Sequence, residues 1–169
     1  MARTDEIIVE EWLNRQGYFT IRGVKKGQNE IDLLAFRPED GDAVHIEVNV
    51  SINPLGWIGK KTLLGEDLPA SNTRTTEQIQ DGIAHYVKKK YKGDNASKLR
   101  DLLYKVNGGW RFMYVYGALN HPEELKHLEA ASIETRSIAR ILDELKSGIG
   151  LPLVLDSDAA HFVNLSKLV

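Results

Sequence analysis

Two carboxylates, Asp32 and Glu47, sit in segments whose residue pattern is that of β-strands. Residues 27–51 read Gly27-Gln28-Asn29-Glu30-Ile31-Asp32-Leu33-Leu34-Ala35-Phe36, then a short polar turn, then Val44-His45-Ile46-Glu47-Val48-Asn49-Val50-Ser51. Apolar residues alternate with others in both halves, and the β-branched content of the second favours a pleated strand over a helix. Carboxylates are poor strand formers and costly to bury unpaired, so these two call for a reason beyond folding. On the second strand Val44, Ile46, Val48 and Val50 point one way, while His45, Glu47, Asn49 and Ser51 point the other. One face is expected to be core, leaving the other free for chemistry. If the two strands are neighbours, Asp32 and Glu47 can converge on one divalent cation such as Mg²⁺, which prefers oxygen ligands and keeps several waters.

The elements that must position these side chains follow from periodicity. A first helix is expected over 4–16, where Ile8 and Trp12 recur at helical spacing with Val9 or Leu13 and acidic residues crowd the first turns. Gly17 ends it, 18–24 reads as a strand, and 25–29 turns the chain into the Asp32 strand. A second turn over 38–42 leads to the Glu47 strand. From 52 to 76 Pro54, Gly56, Gly59, Gly65 and Pro69 break up any long element, giving a long loop that carries Trp57, Lys60, Lys61 and Arg74. Thr75-Thr76-Glu77 starts a second helix with Ile79, Ile83, Tyr86 and Val87 as its buried stripe and Lys88-Lys89-Lys90 near its end. A further helix over 96–106, an aromatic strand over 110–117, a helix from 121 to about 130, a short link or strand at 133–135 and an amphipathic helix over 138–146 follow. Residues 151–155 and 162–165 read as weaker strands. The pattern is that of a mixed α/β layer fold, and 169 residues suit a single domain over 1–169.

Composition narrows the function classes. The chain has no cysteine, which excludes disulfides, thiolate zinc sites and thiol catalysis. No apolar run is long enough to span a bilayer, and the first residues lack the basic and apolar pattern of a secretion signal, so a cytoplasmic protein without membrane association is expected. The net charge of −2 is unevenly spread: −4 over 1–59, +5 over 60–112 and −3 over 113–169. A basic middle beside an acidic first third suits a polyanion held near a carboxylate site, and a solvated charged helix gives the same count.

A helix bearing glutamate, a strand, Glu30-Ile31-Asp32 on a hairpin and Glu47-Val48-Asn49 on its second strand together resemble the PD-(D/E)XK nuclease superfamily, in particular its small Holliday-junction-resolvase-like members. The resemblance covers about the first fifty residues and implies an α/β restriction endonuclease-like core, a mixed central sheet flanked by helices. It implies Asp32 and Glu47 as metal ligands and catalytic residues, the Val48 carbonyl as a further ligand, Glu6 as the helical glutamate that some of these families use, and Mg²⁺ or Mn²⁺ as cofactor. It further implies hydrolysis of DNA phosphodiesters, as an endonuclease, and a homodimer, since many enzymes of this fold cut two strands as dimers. Glu6 reads equally well as a favourable charge near a helix amino terminus.

Asn49 stands where the superfamily carries the lysine of its Glu-x-Lys signature. An amide can donate hydrogen bonds but has no charge and is no base at neutral pH. Three explanations compete: the site works with an amide, a lysine from elsewhere reaches it, or the domain is an inactive descendant that binds nucleic acid or a protein. Lys60, Lys61 and Lys88 are candidates for the second, Lys88 sharing a helical face with Gln80 and Ala84. Lys60, Lys61, Arg74 and Lys88 are also the expected phosphate contacts. His45 shares the face of Glu47, although a lone histidine is more often a packing or surface residue. Trp57 reads as a core plug before a base-stacking platform.

Overall fold

The computed structural model describes residues 4–27, 29–51, 53–103, 105–106 and 108–148. The strands expected at 151–155 and 162–165 lie outside the described residues. Helix α1 (Thr4–Asn14) leads into strands β1 (Phe19–Lys26), β2 (Asn29–Arg37) and β3 (Asp42–Asn49). After the long loop come α2 (Thr76–Val87), a π-helical turn (Lys88–Lys92), α3 (Asp94–Leu103), β4 (Arg111–Tyr116), α4 (Glu124–Ala130), β5 (Ile133–Ser137) and α5 (Ile138–Lys146). The strands form one sheet in the order β1-β2-β3-β4-β5, antiparallel from β1 to β3 and parallel from β3 to β5. This mixed five-stranded sheet flanked by helices is consistent with a restriction endonuclease-like core.

β3 lies at the centre of the sheet, and both of its faces are covered. Val44, Ile46 and Val48 pack with Val9, Trp12 and Leu13 of α1 and with Ile141 and Leu145 of α5. The opposite face, expected to be open for chemistry, is buried as well: His45 is 0% and Glu47 2% exposed. Tyr91 of the π-helical turn and Tyr114 of β4 are fully buried on that side, where they pack with Ile83, Val87, Leu128 and Ile133. A central strand that pairs on both edges and is roofed on both faces must bury whatever its alternation exposes, so the polar half of β3 is interior.

Two local features shape the site. The lysine run, expected to close α2, instead winds as a π-helical turn that ends where the Gly93 N–H donates to the Lys88 carbonyl at 2.7 Å. A Cβ at Gly93 would lie 2.4 Å from that carbonyl oxygen, so the close return requires glycine. Residues 133–135, read as a link or a short strand, are a strand, β5, paired in parallel with β4.

The long loop is tied down by one buried carboxylate. Glu124, 0% exposed, accepts from the backbone N–H groups of Ile58 at 2.7 Å and Gly59 at 3.0 Å. Gly59 passes so close to Gly82 of α2 that a Cβ on it would sit 2.3 Å from the Gly82 carbonyl carbon. Trp57 is buried, stacked on His121 with ring centroids 3.5 Å apart and covered by the Arg74 guanidinium at 4.5 Å.

Candidate active site

The sheet forks at the two carboxylates. The β2–β3 ladder runs from Arg37↔Asp42 to Leu33↔Ile46 and ends there, while β2 continues beside β1 as far as Asn29. Beyond the fork β3 stays paired with β4 through Asn49↔Tyr116. Val48 therefore turns its N–H to a side chain in place of a β2 carbonyl, donating to Asp32 Oδ2 at 2.8 Å. The Asp32 N–H in turn favours the ionised form of Glu47. The two acidic residues thus come together where the strands part.

Glu47 is held from two further sides. Its Oε2 lies 2.5 Å from Nζ of Lys90, which is carried by the π-helical turn. Its Oε1 lies 3.0 Å from His45 Nε2. On the far side of the imidazole, Arg100 Nη1 lies 2.9 Å from Nδ1 and also donates to the Tyr91 carbonyl at 2.7 Å. A guanidinium can only donate, so Nδ1 accepts and the proton of the neutral ring belongs to Nε2, pointing at Glu47. Burial, reinforced by the positive charges of Arg100 and Lys90, keeps the His45 pKa well below its ordinary value and the ring uncharged.

Charge is in surplus at the fork. Burial, with the Glu47 charge second, raises Asp32 to about 6 against the opposing pull of the Val48 N–H and Lys90. Burial likewise raises Glu47 to about 7, although the Lys90 charge and hydrogen bond favour its ionised form. For Lys90 burial works against the ammonium, but the Glu47 charge and hydrogen bond, with Asp32 and Glu30 adding, raise its pKa above the ordinary value. Two carboxylates facing one ammonium are thus held closer to neutrality than free carboxylates would be.

The fit to a divalent cation follows from this donor set. Among the described residues no group of three or more His, Cys, Asp or Glu side chains converges in a metal-ligating cluster. Asp32 and Glu47 are what the protein offers, and a hard cation held by one or two carboxylates with water completing its shell matches that set. Glu6 is buried on α1, and it acts on Lys25, which is ion-paired with Glu30 at 2.8 Å and also feels Asp32.

The other expected residues are placed as follows. Asn49 lies at the end of β3 beside the buried Tyr114 hydroxyl. Lys60 is exposed, and Lys61 pairs with Asp67 at 3.3 Å on the surface of the long loop. Arg74 is spent within its own loop, donating to the carbonyls of Gly59 at 2.5 Å and Pro69 at 2.8 Å. Lys88 is exposed at the start of the π-helical turn. The lysine that reaches Glu47 is Lys90 and not Lys88, whose expected place on one helical face with Gln80 and Ala84 assumed regular α-helical spacing that the π-helical turn breaks. Arg100 was missed because it reads as an ordinary helical arginine until its burial is seen.

No protein-family model matches the chain. No curated protein matches it either. Among solved structures the chain is similar to a protein of unknown function, AF1548, at a TM-score of 0.48 and 15% identity over 98% of this chain and 78% of that one. It is also similar to a repair endonuclease from Pyrococcus abyssi, at a TM-score of 0.36 and 14% identity over 78% of this chain and 42% of that one. A third similarity is to SfsA of Pyrococcus furiosus in complex with Ca²⁺, at a TM-score of 0.36 and 19% identity over 79% and 53%. The chain spans about half the length of these last two proteins. What the fork can do follows from its own geometry.

Proposed function

We propose that this protein is a divalent-metal-dependent nuclease that hydrolyses DNA phosphodiesters, as an endonuclease, at the fork between β2 and β3. The observation that carries the reading is the ion pair of Lys90 with Glu47 at 2.5 Å, directly across the fork from Asp32. Asp32 and Glu47 would hold Mg²⁺ or Mn²⁺, which when bound supplies positive charge to the phosphate oxygens and a water of lowered pKa. Lys90 stands in for the lysine missing at position 49, its three donors able to bind a phosphate oxygen and orient a water. His45, aimed by Arg100, fixes the orientation of Glu47, as hydrogen-bonded partners do for metal-ligating carboxylates.

Incubating the chain with DNA and Mg²⁺ or Mn²⁺ is expected to give cleavage that falls at least a hundredfold in Asp32→Ala, Glu47→Ala and Lys90→Ala, a loss on the scale of removing a positioned catalytic group. Adding Asn49→Lys to Lys90→Ala is expected to restore part of the rate, because position 49 adjoins Glu47 on the same strand face. Full cleavage by Asp32→Ala or Glu47→Ala would overturn the mechanism. A second reading, a binding module that has lost catalysis, is favoured by the near-complete burial of Glu47 and by its engagement with both His45 and Lys90. It predicts DNA binding indifferent to divalent metal and no cleavage under any of these conditions.

A further inference from the structure

Beside the Lys90–Glu47 pair the π-helical turn borders a cleft of about 540 Å³. Lys88, Lys89 and Lys92 line it, with His85 of α2, Asn29 of β2 and Asp94 of α3. Three ammonium groups face one carboxylate, a positive concavity that focuses the field and draws anions towards it. Lys88 and Lys89 are exposed and make no ion pair among the described residues. Lys92 donates to the Ala131 carbonyl at 2.6 Å and keeps two further donors. A smaller cleft of about 160 Å³, lined by Asn29, Glu30, Lys89 and Lys90 among others, shares Asn29 and Lys89 with the first. The two clefts adjoin at Asn29 and Lys89, and Lys90, whose ammonium contacts Glu47, lines the smaller one.

We propose that this cleft is a phosphate-binding subsite, seating a backbone phosphate of the nucleic-acid strand next along from the one presented to Lys90. The inference rests on the nuclease reading for the identity of the strand, and on the cleft itself for the phosphate. Its volume is that of a pocket for a whole nucleotide, larger than a lone anion needs. Lysine ammonium groups and an asparagine amide are the donors that position nucleic-acid backbones without reading sequence. The basic residues of the long loop are less suited to that role, because Arg74 is committed to backbone carbonyls and Lys61 to Asp67.

Inorganic phosphate titrated into the isotope-labelled full chain is expected to shift the backbone amide signals of Gly93 and Asn95, which also line the cleft. Those shifts are expected to disappear in Lys88→Gln/Lys89→Gln, whose exposed side chains can change without disturbing the core. With a fluorescein-labelled single-stranded oligonucleotide followed by anisotropy, the same double variant is expected to bind about tenfold more weakly. Its log Kd should depend on log salt with a slope smaller by about 1.4, two lysines' worth of released counterions. Lys60→Gln/Lys61→Gln is expected to change binding less than twofold. Wild-type affinity in Lys88→Gln/Lys89→Gln, or a larger loss in Lys60→Gln/Lys61→Gln, overturns the subsite. If the wild type cleaves DNA while Lys88→Gln/Lys89→Gln binds normally, the subsite falls and the nuclease stands. Phosphate shifts at the cleft without cleavage under any divalent metal would retain the subsite and remove the nuclease.

Discussion

Glu47 is the residue on which the site's electrostatics turn. It is buried, burial raises its pKa to about 7 against the pull of Lys90 and the Asp32 N–H towards the ionised form, and it receives a proton donor from His45. Removing one member of a buried ion pair leaves the other uncompensated, which costs several kcal/mol in a sealed interior and less where one partner touches water. Lys90 retains 29% side-chain exposure, so Lys90→Ala is expected to destabilise the fold by roughly 1–3 kcal/mol at pH 7.5. The loss should shrink at pH 5, because Glu47 can then take up a proton and no stranded charge remains. Urea denaturation of both proteins at the two pH values checks this; an equal loss at both would mean that Lys90 acts through packing alone.

At the scale of the element, the π-helical turn determines which lysine faces the fork. Its five residues place Tyr91 in the core, with the hydroxyl donating to the Met113 carbonyl at 2.8 Å, and bring Lys90 to Glu47. The turn closes on Gly93, where any side chain would collide with the Lys88 carbonyl. Gly93→Ala is therefore expected to cost about 1–3 kcal/mol, in the range of overpacking a tight site, and to move Lys90. Thermal denaturation measures the first effect, and loss of cleavage exceeding that of an equally destabilised variant elsewhere measures the second. Wild-type stability in Gly93→Ala would show that the turn relaxes freely into an α-helix.

At the scale of the whole molecule, the two ends of β3 respond to pH in opposite directions. At one end Arg111 clamps Asp42 through bonds of 2.7 and 2.6 Å, and this pairing lowers the Asp42 pKa, so its contribution is present above the ordinary aspartate value and lost as pH falls. At the fork the raised pKa values of Asp32 and Glu47 give a contribution that is complete below about pH 4 and lost as pH rises through about 6 and about 7. Buried neutral His45 works against them below its ordinary pKa, one proton against two. Stability in the presence of a chelator is thus expected to be greatest between about pH 4 and about pH 6 and to decline towards pH 8. If Asp32 and Glu47 hold Mg²⁺, adding it should raise the melting temperature at pH 8 and have little effect at pH 5, where protons compete for both ligands. A melting temperature indifferent to Mg²⁺ at pH 8 would remove the metal from the site.

The alternation over 30–36 and 44–51 determined a hairpin and put Glu47 in phase with His45 and Asn49, because a period of two is a local property that any pleated strand must obey. The glycines and prolines of 52–76 marked a long loop for an equally local reason. Tertiary structure alone decided the rest. Periodicity cannot say that the second face of β3 is roofed, since that depends on α2 and the turn after it returning over the sheet. It pointed to Lys88 in place of Lys90, because the side chains of the lysine run are directed by the path of the π-helical turn and its closure at Gly93 and not by α-helical spacing. Nor does it reveal the fork, where the loss of a backbone partner for the Val48 N–H makes Asp32 the acceptor and brings the two carboxylates under one charge.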